Sequence, residues 1–384
     1  MKPSGWRKSL RCASALVLMA ACIKPAAAQE IDRTTAMVLE QQGRNADAER
    51  AWKVLLQGTP KNAEALAHLG LLEARQEHYD AAAEYDRRAL KENPNLPGLR
   101  LNLGLALFKA GKFSQAIPSF AEELRLHPGD QRLTILLGMC HYGMGDYLVA
   151  VPYLQKAAAN DPQNLELRLT LAHSCLWSKQ YKCVTDVGKQ ILALNPESPE
   201  ADMLTGEALD EQGDETGAVE QFRAAVQANP KQPDVHFGLG YLLWKQRQFA
   251  QAADQFEAEV ANDPAQSQAR AYLGDSYLQL NQYDKAEPEL VRAATNAPTV
   301  AMTHRDLGVV YEKTGRSDAA VKELEKAIAL DGQDAATHFE LARAYRSMGR
   351  ANDAKVEFAT ASKMNKQENE ALTQKMSGPP AAKP

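Results

Sequence analysis

The sequence predicts an all-helical fold, a solenoid of about ten helix-turn-helix repeats of 34 residues each. A proline cannot continue a helix, because it has no N–H and its ring clashes with the preceding turn, so a regular series of prolines marks the boundaries between repeats. A fixed period of this length is typical of repeats that bury their apolar faces only against neighbouring repeats. The prolines spaced 34 residues apart are Pro60, Pro94, Pro128, Pro162, Pro196, Pro230, Pro264 and Pro298.

Two columns of small residues indicate how the helices of each repeat pack. With the proline numbered position 32, position 8 is Gly or Ala in every repeat, and position 20 is Ala everywhere except at Val184. Helices approach closely only where side chains are small, so both columns are predicted to lie where the two helices cross. Position 24 is often large and is expected to fill the core. The predicted repeats are 29–62, 63–96, 97–130, 131–164, 165–198, 199–232, 233–266, 267–300, 301–334 and 335–368.

The first 28 residues are predicted to be a secretory signal peptide, separate from the repeats. Basic residues precede an apolar run at 12–23, which is too short to cross a bilayer, and three alanines follow at 26–28. An alternative is cleavage before Cys22, because LMAAC (18–22) resembles a bacterial lipobox whose cysteine becomes lipidated. Either route exports the chain, which we expect to be periplasmic or secreted, or else a membrane-anchored lipoprotein without a membrane span.

The net charge argues against nucleic acid as a partner. The chain has 44 Lys and Arg and 49 Asp and Glu, and five of the basic residues lie in the predicted leader. Without the leader, 39 basic residues face 49 acidic ones, a net charge of about −10 that would repel phosphate groups.

The second helix of each repeat is expected to begin at position 18. This position holds Asp80, Ser114, Asp284, Asp318 or Asn352 in half of the repeats, and these side chains accept hydrogen bonds from the free N–H groups at a helix start. With such a cap, a proline at position 22 removes only the first hydrogen bond of the helix. The prolines at position 22, namely Pro118, Pro152 and Pro288, are therefore not predicted to be domain breaks.

These features together resemble the tetratricopeptide repeat (TPR) family over residues 29–368. The resemblance is clear in LNLGLALFKAGKFSQAIPSFAEELRLHP (101–128) and in AYLGDSYLQLNQYDKAEPELVRAATNAP (271–298). It implies a right-handed superhelix of paired helices that acts as a scaffold for other proteins.

The sequence departs from the family pattern in a few places. Gly188 occupies a position where a large residue is expected, and Glu123 and Glu259 replace the small residue at position 27. We therefore expect looser packing around the fifth repeat. The residues after the last repeat, 369–384, are charged and rich in Pro and Ala, and they are predicted to form a flexible tail.

Three cysteines remain outside the leader, and two of them are candidates for a disulfide. Cys175 and Cys183 lie at about equal distances from the turn of the fifth repeat, so a bond across this hairpin is geometrically plausible. An odd count in an oxidising compartment leaves one thiol over. The alternative is that all three cysteines are small apolar fillers, Cys140 above all.

Catalytic and cofactor signatures are absent from the sequence. The Gly111-Lys112 pair lacks the spacing and the hydroxyl residue of a phosphate-binding loop. His173, Cys175 and Cys183 do not have the spacing of a zinc site. We therefore predict no catalytic residues, no metal site and no cofactor. A third hypothesis is an enzyme with an unrecognised metal- or sugar-binding site in its groove.

The resemblance implies that the first helices line a concave face, with positions 2, 5, 9, 12 and 13 pointing into a groove. In repeats three to five and in repeat seven these positions are mostly apolar or aromatic, and the sixth repeat adds Met203 beside acidic residues. Aromatic anchors in a concave surface are suited to extended or helical peptide segments. Position 5, which includes Phe237, could instead belong to the core. The predicted binding residues are Leu105, Phe108, Met139, Tyr142, His173, Trp177, Met203, Glu207, Asp210, Phe237, Tyr241 and Trp244.

The sequence therefore predicts an exported scaffold that binds peptide or helical segments of other proteins. The leading alternative is a lipoprotein, anchored through Cys22, that organises an outer-membrane, secretion or polysaccharide-export assembly. Neither interpretation identifies the partner or the oligomeric state.

Overall fold

A computed structural model describes residues 32–377, and every regular element in this range is an α-helix. The predicted signal peptide and Cys22 lie outside the described residues. The chain divides into two compact parts, one ending at Pro128 and the other beginning at Gly129.

The helices of the first part are α1 (Arg33–Gln41), α2 (Asn45–Gly58), α3 (Ala63–Arg75), α4 (Tyr79–Glu92), α5 (Leu99–Lys109) and α6 (Phe113–Leu126). Those of the second part are α7 (Gln131–Gly143), α8 (Tyr147–Asn160), α9 (Leu165–Trp177), α10 (Tyr181–Leu194), α11 (Pro199–Glu211), α12 (Glu215–Ala228), α13 (Val235–Lys245), α14 (Phe249–Asn262), α15 (Ser267–Gln279), α16 (Tyr283–Asn296), α17 (Ala301–Lys313), α18 (Ser317–Leu330), α19 (Ala335–Ser347) and α20 (Ala351–Ser377).

Each odd-numbered helix packs against the even-numbered helix that follows it, so every repeat is a helical hairpin. The small residues at position 8 lie at the crossing, as predicted. A Cβ atom on Gly104 would come within 2.6 Å of the Phe120 ring, and one on Gly240 within 2.8 Å of the Phe256 ring. Both phenylalanines occupy position 24 and are completely buried. The predicted all-helical repeat fold is therefore confirmed.

The corner between the two helices of each repeat has a constant backbone conformation that the sequence analysis did not foresee. Position 15 has a positive φ in all ten described repeats. Six of the ten residues are glycine, which adopts this conformation without a steric cost. The other four are Glu77, Lys179, Arg247 and Asn281, with φ between 58° and 62°. The repeat is thus defined by its corner as well as by its proline.

The predicted start of the second helices is wrong by two residues. Helix α4 begins at Tyr79 and α16 at Tyr283, so Asp80 and Asp284 are the second residues of their helices and not the caps. The corner at position 15 ends the turn and leaves position 16 as the cap. Acidic side chains in a first turn still interact favourably with the helix dipole. The prolines at position 22 are consequently sixth in their helices, and each removes an interior hydrogen bond.

From the second repeat to the tenth, seven first helices begin at position 1 of their repeat, whereas α5 and α13 begin two residues later, at position 3. Their entries contain Pro97-Gly98 and Pro233-Asp234, and the second residue of each pair has a positive φ. At α13 the buried Glu259 accepts hydrogen bonds from the backbone N–H of Asp234 at 3.3 Å and of Phe237 at 2.9 Å. The large residue at position 27 of this repeat therefore caps the first turn of α13, the first helix of the same repeat.

Position 24 has two exceptions to its large apolar side chain, at Asp86 and Gly188. Asp86 is buried against Gly70 in the first part. Gly188 in α10 faces the Thr205 hydroxyl of α11, and a Cβ atom would collide with it. The fifth hairpin thus lacks a large core side chain at its crossing, and a disulfide between Cys175 and Cys183 joins its two helices, with 5.8 Å between the Cα atoms.

Helix α20 continues to Ser377, so the first nine residues of the predicted tail from residue 369 are helical. Lys366 stands where earlier repeats have proline, so nothing stops the helix at that point. Among residues 32–377, no helix combines the length and the apolar character needed to cross a bilayer.

Candidate functional site

The first helices of the second part form a closely spaced layer. Helix α11 contacts α9 on one side and α13 on the other, and similar contacts join α13, α15, α17 and α19. In α7, α9, α11 and α13 the residues at positions 9, 12 and 13 are exposed or partly buried, except for the buried Leu176. The candidate site is the stretch of this surface over α7–α13.

An aromatic cluster, which we call the α9 cluster, is centred on Trp177. The Trp177 ring lies 5.9 Å from Tyr142, 4.6 Å from Tyr147 and 5.3 Å from His173, measured between centroids. Half of the Trp177 surface remains exposed although three rings surround it. Burial lowers the pKa of His173, which favours the neutral imidazole. The cluster therefore presents a supported apolar surface to solvent.

A second group, which we call the α13 cluster, contains Phe237, Tyr241, Trp244 and Tyr272. Neighbouring rings lie 5.0–6.3 Å apart, and all four side chains are partly buried against the core of this region. The Trp244 indole N–H donates a hydrogen bond of 2.5 Å to the buried Asp275 carboxylate. Phe237 lines the surface and also packs on Phe256, with 5.8 Å between the ring centroids. It therefore belongs both to the surface and to the core, the two alternatives considered for position 5.

A cavity of about 500 Å³ lies between these two clusters, with α11 along its base. It brings together six of the twelve predicted binding residues. These are Trp177, Met203, Glu207, Asp210, Phe237 and Tyr241.

The other predicted residues lie outside this cavity. Tyr142 and His173 belong to the α9 cluster, Trp244 belongs to the α13 cluster, and Met139 packs partly buried against the core beneath α8–α10. Leu105 and Phe108 lie in the first part. Leu105 is partly exposed there, and Phe108 packs edge-on against Phe113 and Phe120.

Four carboxylates line the cavity, and their partners differ. Asp210 is paired with Lys245, with Oδ1 and Oδ2 at 2.7 and 3.0 Å from Nζ. Glu211 accepts a hydrogen bond from the Tyr181 hydroxyl at 3.1 Å, and Asp234 accepts one from the side-chain amide of Gln266 at 2.5 Å. The Glu207 side chain has no hydrogen-bond or ion-pair partner within the described residues.

Sequence reasoning missed several residues of this site. Tyr147 and Tyr181 both occupy position 17, the first residue of a second helix, where the sequence also has Tyr79, Phe113, Phe249 and Tyr283. That aromatic column was a visible signal. Lys179, at the corner, and Asp234, at position 2, also line the cavity.

The described residues contain no group of three or more His, Cys, Asp and Glu side chains arranged to hold a metal ion. The histidines at position 4 have another role. His304 and His338 are buried, and each makes a 2.6 Å contact through Nδ1 with a glutamate of its own second helix, Glu323 and Glu357 respectively. They tie the two helices of a repeat together.

Comparison with protein families agrees with this architecture. A family model described as tetratricopeptide repeat matches residues 33–97, 101–164 and 237–301, which together exceed half of the chain. A model described as TPR repeat matches residues 206–246. Another model described as tetratricopeptide repeat matches residues 142–205 and 313–374. The chain belongs to the tetratricopeptide repeat family, as its sequence predicted, and this is a family of protein–protein interaction scaffolds.

The curated relatives match only in part. A TPR repeat-containing protein of Methanocaldococcus jannaschii is 32% identical over 21% of this chain and 14% of its own length. BBSome complex member BBS4 of Xenopus tropicalis is 26% identical over 38% of this chain and 28% of its own. Protein CTR9 homolog of Arabidopsis thaliana is 24% identical over 42% of this chain and 15% of its own length. The chain thus covers less than a third of the length of each of these relatives.

Solved structures also share similarity over part of the chain. MamA is 22% identical, with a TM-score of 0.39, covering 43% of this chain and 96% of the MamA chain. YrrB, described as a TPR protein with an unusual peptide-binding site, is 18% identical, with a TM-score of 0.44, covering 48% and 95%.

Proposed function

We propose that this protein is an exported scaffold that binds segments of other proteins across the α9 cluster, the cavity and the α13 cluster. The observation that carries this proposal is the half-exposed Trp177, held by three neighbouring rings at the edge of a cavity of about 500 Å³. Exposed aromatic side chains that are already held in place lose little conformational freedom on binding, and such residues often dominate binding energy. The site has no catalytic role in this proposal.

Export is supported by the composition of residues 1–28 and by the Cys175–Cys183 bond, since disulfides persist mainly in oxidising compartments. The chain is then periplasmic or secreted after cleavage at Ala28. In the alternative form, cleavage leaves an acylated Cys22 as the first residue of a membrane-anchored lipoprotein. The mass of the mature N-terminal peptide distinguishes the two forms.

The binding proposal is tested with a Trp177→Ala variant of the full chain. Wild-type and variant proteins are immobilised and incubated with envelope extract of the source organism, and captured proteins are identified by mass spectrometry and then titrated individually. We expect Trp177→Ala to weaken binding roughly tenfold or more, the usual effect of removing an aromatic hot spot.

The matched control is Leu148→Ala, which removes a large apolar side chain that is 68% exposed on the second helix α8. This variant should bind like the wild type. If Trp177→Ala binds every partner as tightly as Leu148→Ala does, while both variants have wild-type circular dichroism, recognition does not use the proposed surface.

A further inference from the structure

The cavity between α9 and α13 offers two kinds of surface to a ligand. Trp177 and Tyr241 supply aromatic faces from the two sides of α11, and Met203 supplies an apolar base. Glu207, Glu211 and Asp234 place carboxylates among these apolar groups. An apolar side chain entering the cavity would remove water from those carboxylates without replacing its hydrogen bonds, which is unfavourable.

The charges of the cavity are unbalanced toward the negative. Of its four carboxylates, only Asp210 has a cationic partner, Lys245, within the described residues. The hydrogen bonds from Tyr181 to Glu211 and from Gln266 to Asp234 come from neutral groups and leave those charges in place. Among the residues that line the cavity, Lys179 at the corner is the one cation. Three carboxylates therefore face one lysine.

Glu207 is the carboxylate of the cavity whose negative charge is least compensated. Its side chain is exposed to the cavity, but the concave surroundings reduce its hydration, and this raises its pKa. The neighbouring negative charges of Asp234 and Glu211 raise the pKa further. A cation placed beside Glu207 would offset all of these contributions at once.

Aromatic faces and carboxylates together select for a cationic group. A lysine ammonium or an arginine guanidinium is attracted by the electron-rich face of tryptophan and tyrosine, and it also pairs with carboxylates. An acidic group would be repelled. The long aliphatic stem of lysine or arginine would pack on Met203 and the rings while its charged end reaches Glu207.

We propose that this cavity takes one lysine or arginine side chain of a bound polypeptide, while apolar residues on either side of it rest on the α9 and α13 clusters. The inference rests on the proposed function, because the cation arrives on a protein segment. It adds the chemical class of that segment, which is apolar with a single basic residue at its centre.

The test uses the full chain and fluorescein-labelled nine-residue peptide libraries. The central residue is fixed as Lys, Arg, norleucine or Glu, and the other positions are a mixture of Leu, Phe, Ala and Ser. Fluorescence anisotropy measures affinity at low and at moderate salt. We expect the Lys and Arg libraries to bind roughly tenfold more tightly than the norleucine library, and the Glu library to bind most weakly.

Two variants test the assignment to the cavity. Glu207→Gln should reduce the preference for Lys over norleucine to about threefold or less, because the unpaired charge is gone. Glu220→Gln removes the same charge from an exposed site on α12 away from the cavity, and it should leave the preference unchanged. A competition arm with free N-acetyl-lysine methylamide distinguishes a peptide-borne cation from a small amine.

The outcomes separate this inference from the proposed function. Binding that Trp177→Ala weakens, but that shows no preference for Lys or Arg, overturns the cation assignment and leaves the scaffold proposal standing. A preference that persists in Glu207→Gln also overturns the assignment. Competition by the free amine as strong as that by the Lys library overturns the polypeptide source. If no library binds and no captured partner depends on Trp177, both proposals are wrong.

Discussion

Asp86 is the only position-24 residue in the described repeats that carries a carboxyl group. It is 1% exposed, and its Oδ1 atom has no hydrogen-bond partner among the described residues. Burial raises the pKa of Asp86 from its ordinary value of 3.8 to about 7. The charged form is therefore disfavoured inside this hairpin, and folding at neutral pH must overcome that cost.

We expect Asp86→Leu to raise the free energy of unfolding by on the order of 2 kcal/mol at pH 8, because a buried polar group without a partner is replaced by an apolar one. Leucine fits opposite a glycine at this crossing, since Leu290 packs on Gly274 and Leu324 packs on Gly308 in later repeats. Urea unfolding followed by circular dichroism measures the change.

The pH dependence of stability checks the cause. The folded state holds the Asp86 proton more tightly than the unfolded state, so this carboxyl group lowers stability as pH rises from about 4 to about 7. Asp86→Asn keeps the shape and does not titrate. The free energy of unfolding of the variant, relative to that of the wild type, should therefore increase as pH is raised from 5 to 8. A difference that stays constant over this range would contradict the raised pKa.

The fifth hairpin shows how one element can hold together without the usual core side chain. Gly188 leaves room for the Thr205 hydroxyl of α11, and the disulfide joins α9 to α10. Helix α9 carries Trp177 and α10 begins at Tyr181, so this hairpin also supplies one wall of the cavity. Its stability and the geometry of the candidate site are therefore linked.

We expect the Cys175→Ala/Cys183→Ala variant to lose about 2 to 3 kcal/mol of stability, the effect of opening a short disulfide loop. A reducing agent should lower the urea midpoint of the wild type and leave that of the variant unchanged. Peptide binding at the cavity should weaken in both cases, because α9 and α10 are no longer joined.

A direct check of the bond is available from protease digestion. After reduction, trypsin should release residues 169–179 and 183–189 as two separate peptides. Without reduction, the disulfide should join these two peptides, and they should appear as one linked species. Cys140 is an internal control, since burial raises the pKa of its thiol to about 11 and should keep it unreactive in the folded protein. Finding only unlinked peptides under oxidising conditions would refute the disulfide.

Repetition explains which elements the sequence could predict. The hairpins and their crossings were predictable because the same columns recur ten times, as at Gly104 and Gly240. Helix starts were harder, because Asp80 and its counterparts suit both a cap and a first turn. The role of Glu259 depends on a late helix start that few repeats have, so no recurring column of residues predicted it.

The candidate site was predictable to the same extent. Positions 9, 12 and 13 brought Trp177, Glu207 and Tyr241 to one surface, because they lie on one face of each first helix. Tyr181 was missed because the direction of a second-helix residue depends on the corner between the helices. The disulfide remained one of two alternatives, since spacing does not determine how two helices face each other.

At the scale of the whole molecule, stability comes mainly from contacts within repeats and between neighbouring repeats. We therefore expect unfolding in urea to proceed in more than one step. Tryptophan fluorescence and circular dichroism should give different midpoints. Fluorescence reports on few repeats, such as those of Trp52 in the first part and of Trp177 and Trp244 in the second, whereas circular dichroism averages over all helices. Coincident transitions, with a slope that matches the surface of the entire chain, would instead mean that the repeats unfold together.

The shared conformation of the ten corners has a consequence for how such a chain can change during evolution. A recombination event that deletes or duplicates 34 residues joins two corners that already have the same backbone conformation at position 15. Each remaining turn keeps its geometry, and only the contacts at the new junction between hairpins need to adapt. Gene segments encoding whole hairpins can thus be lost or copied, and the binding surface lengthened or shortened, without inventing a new turn.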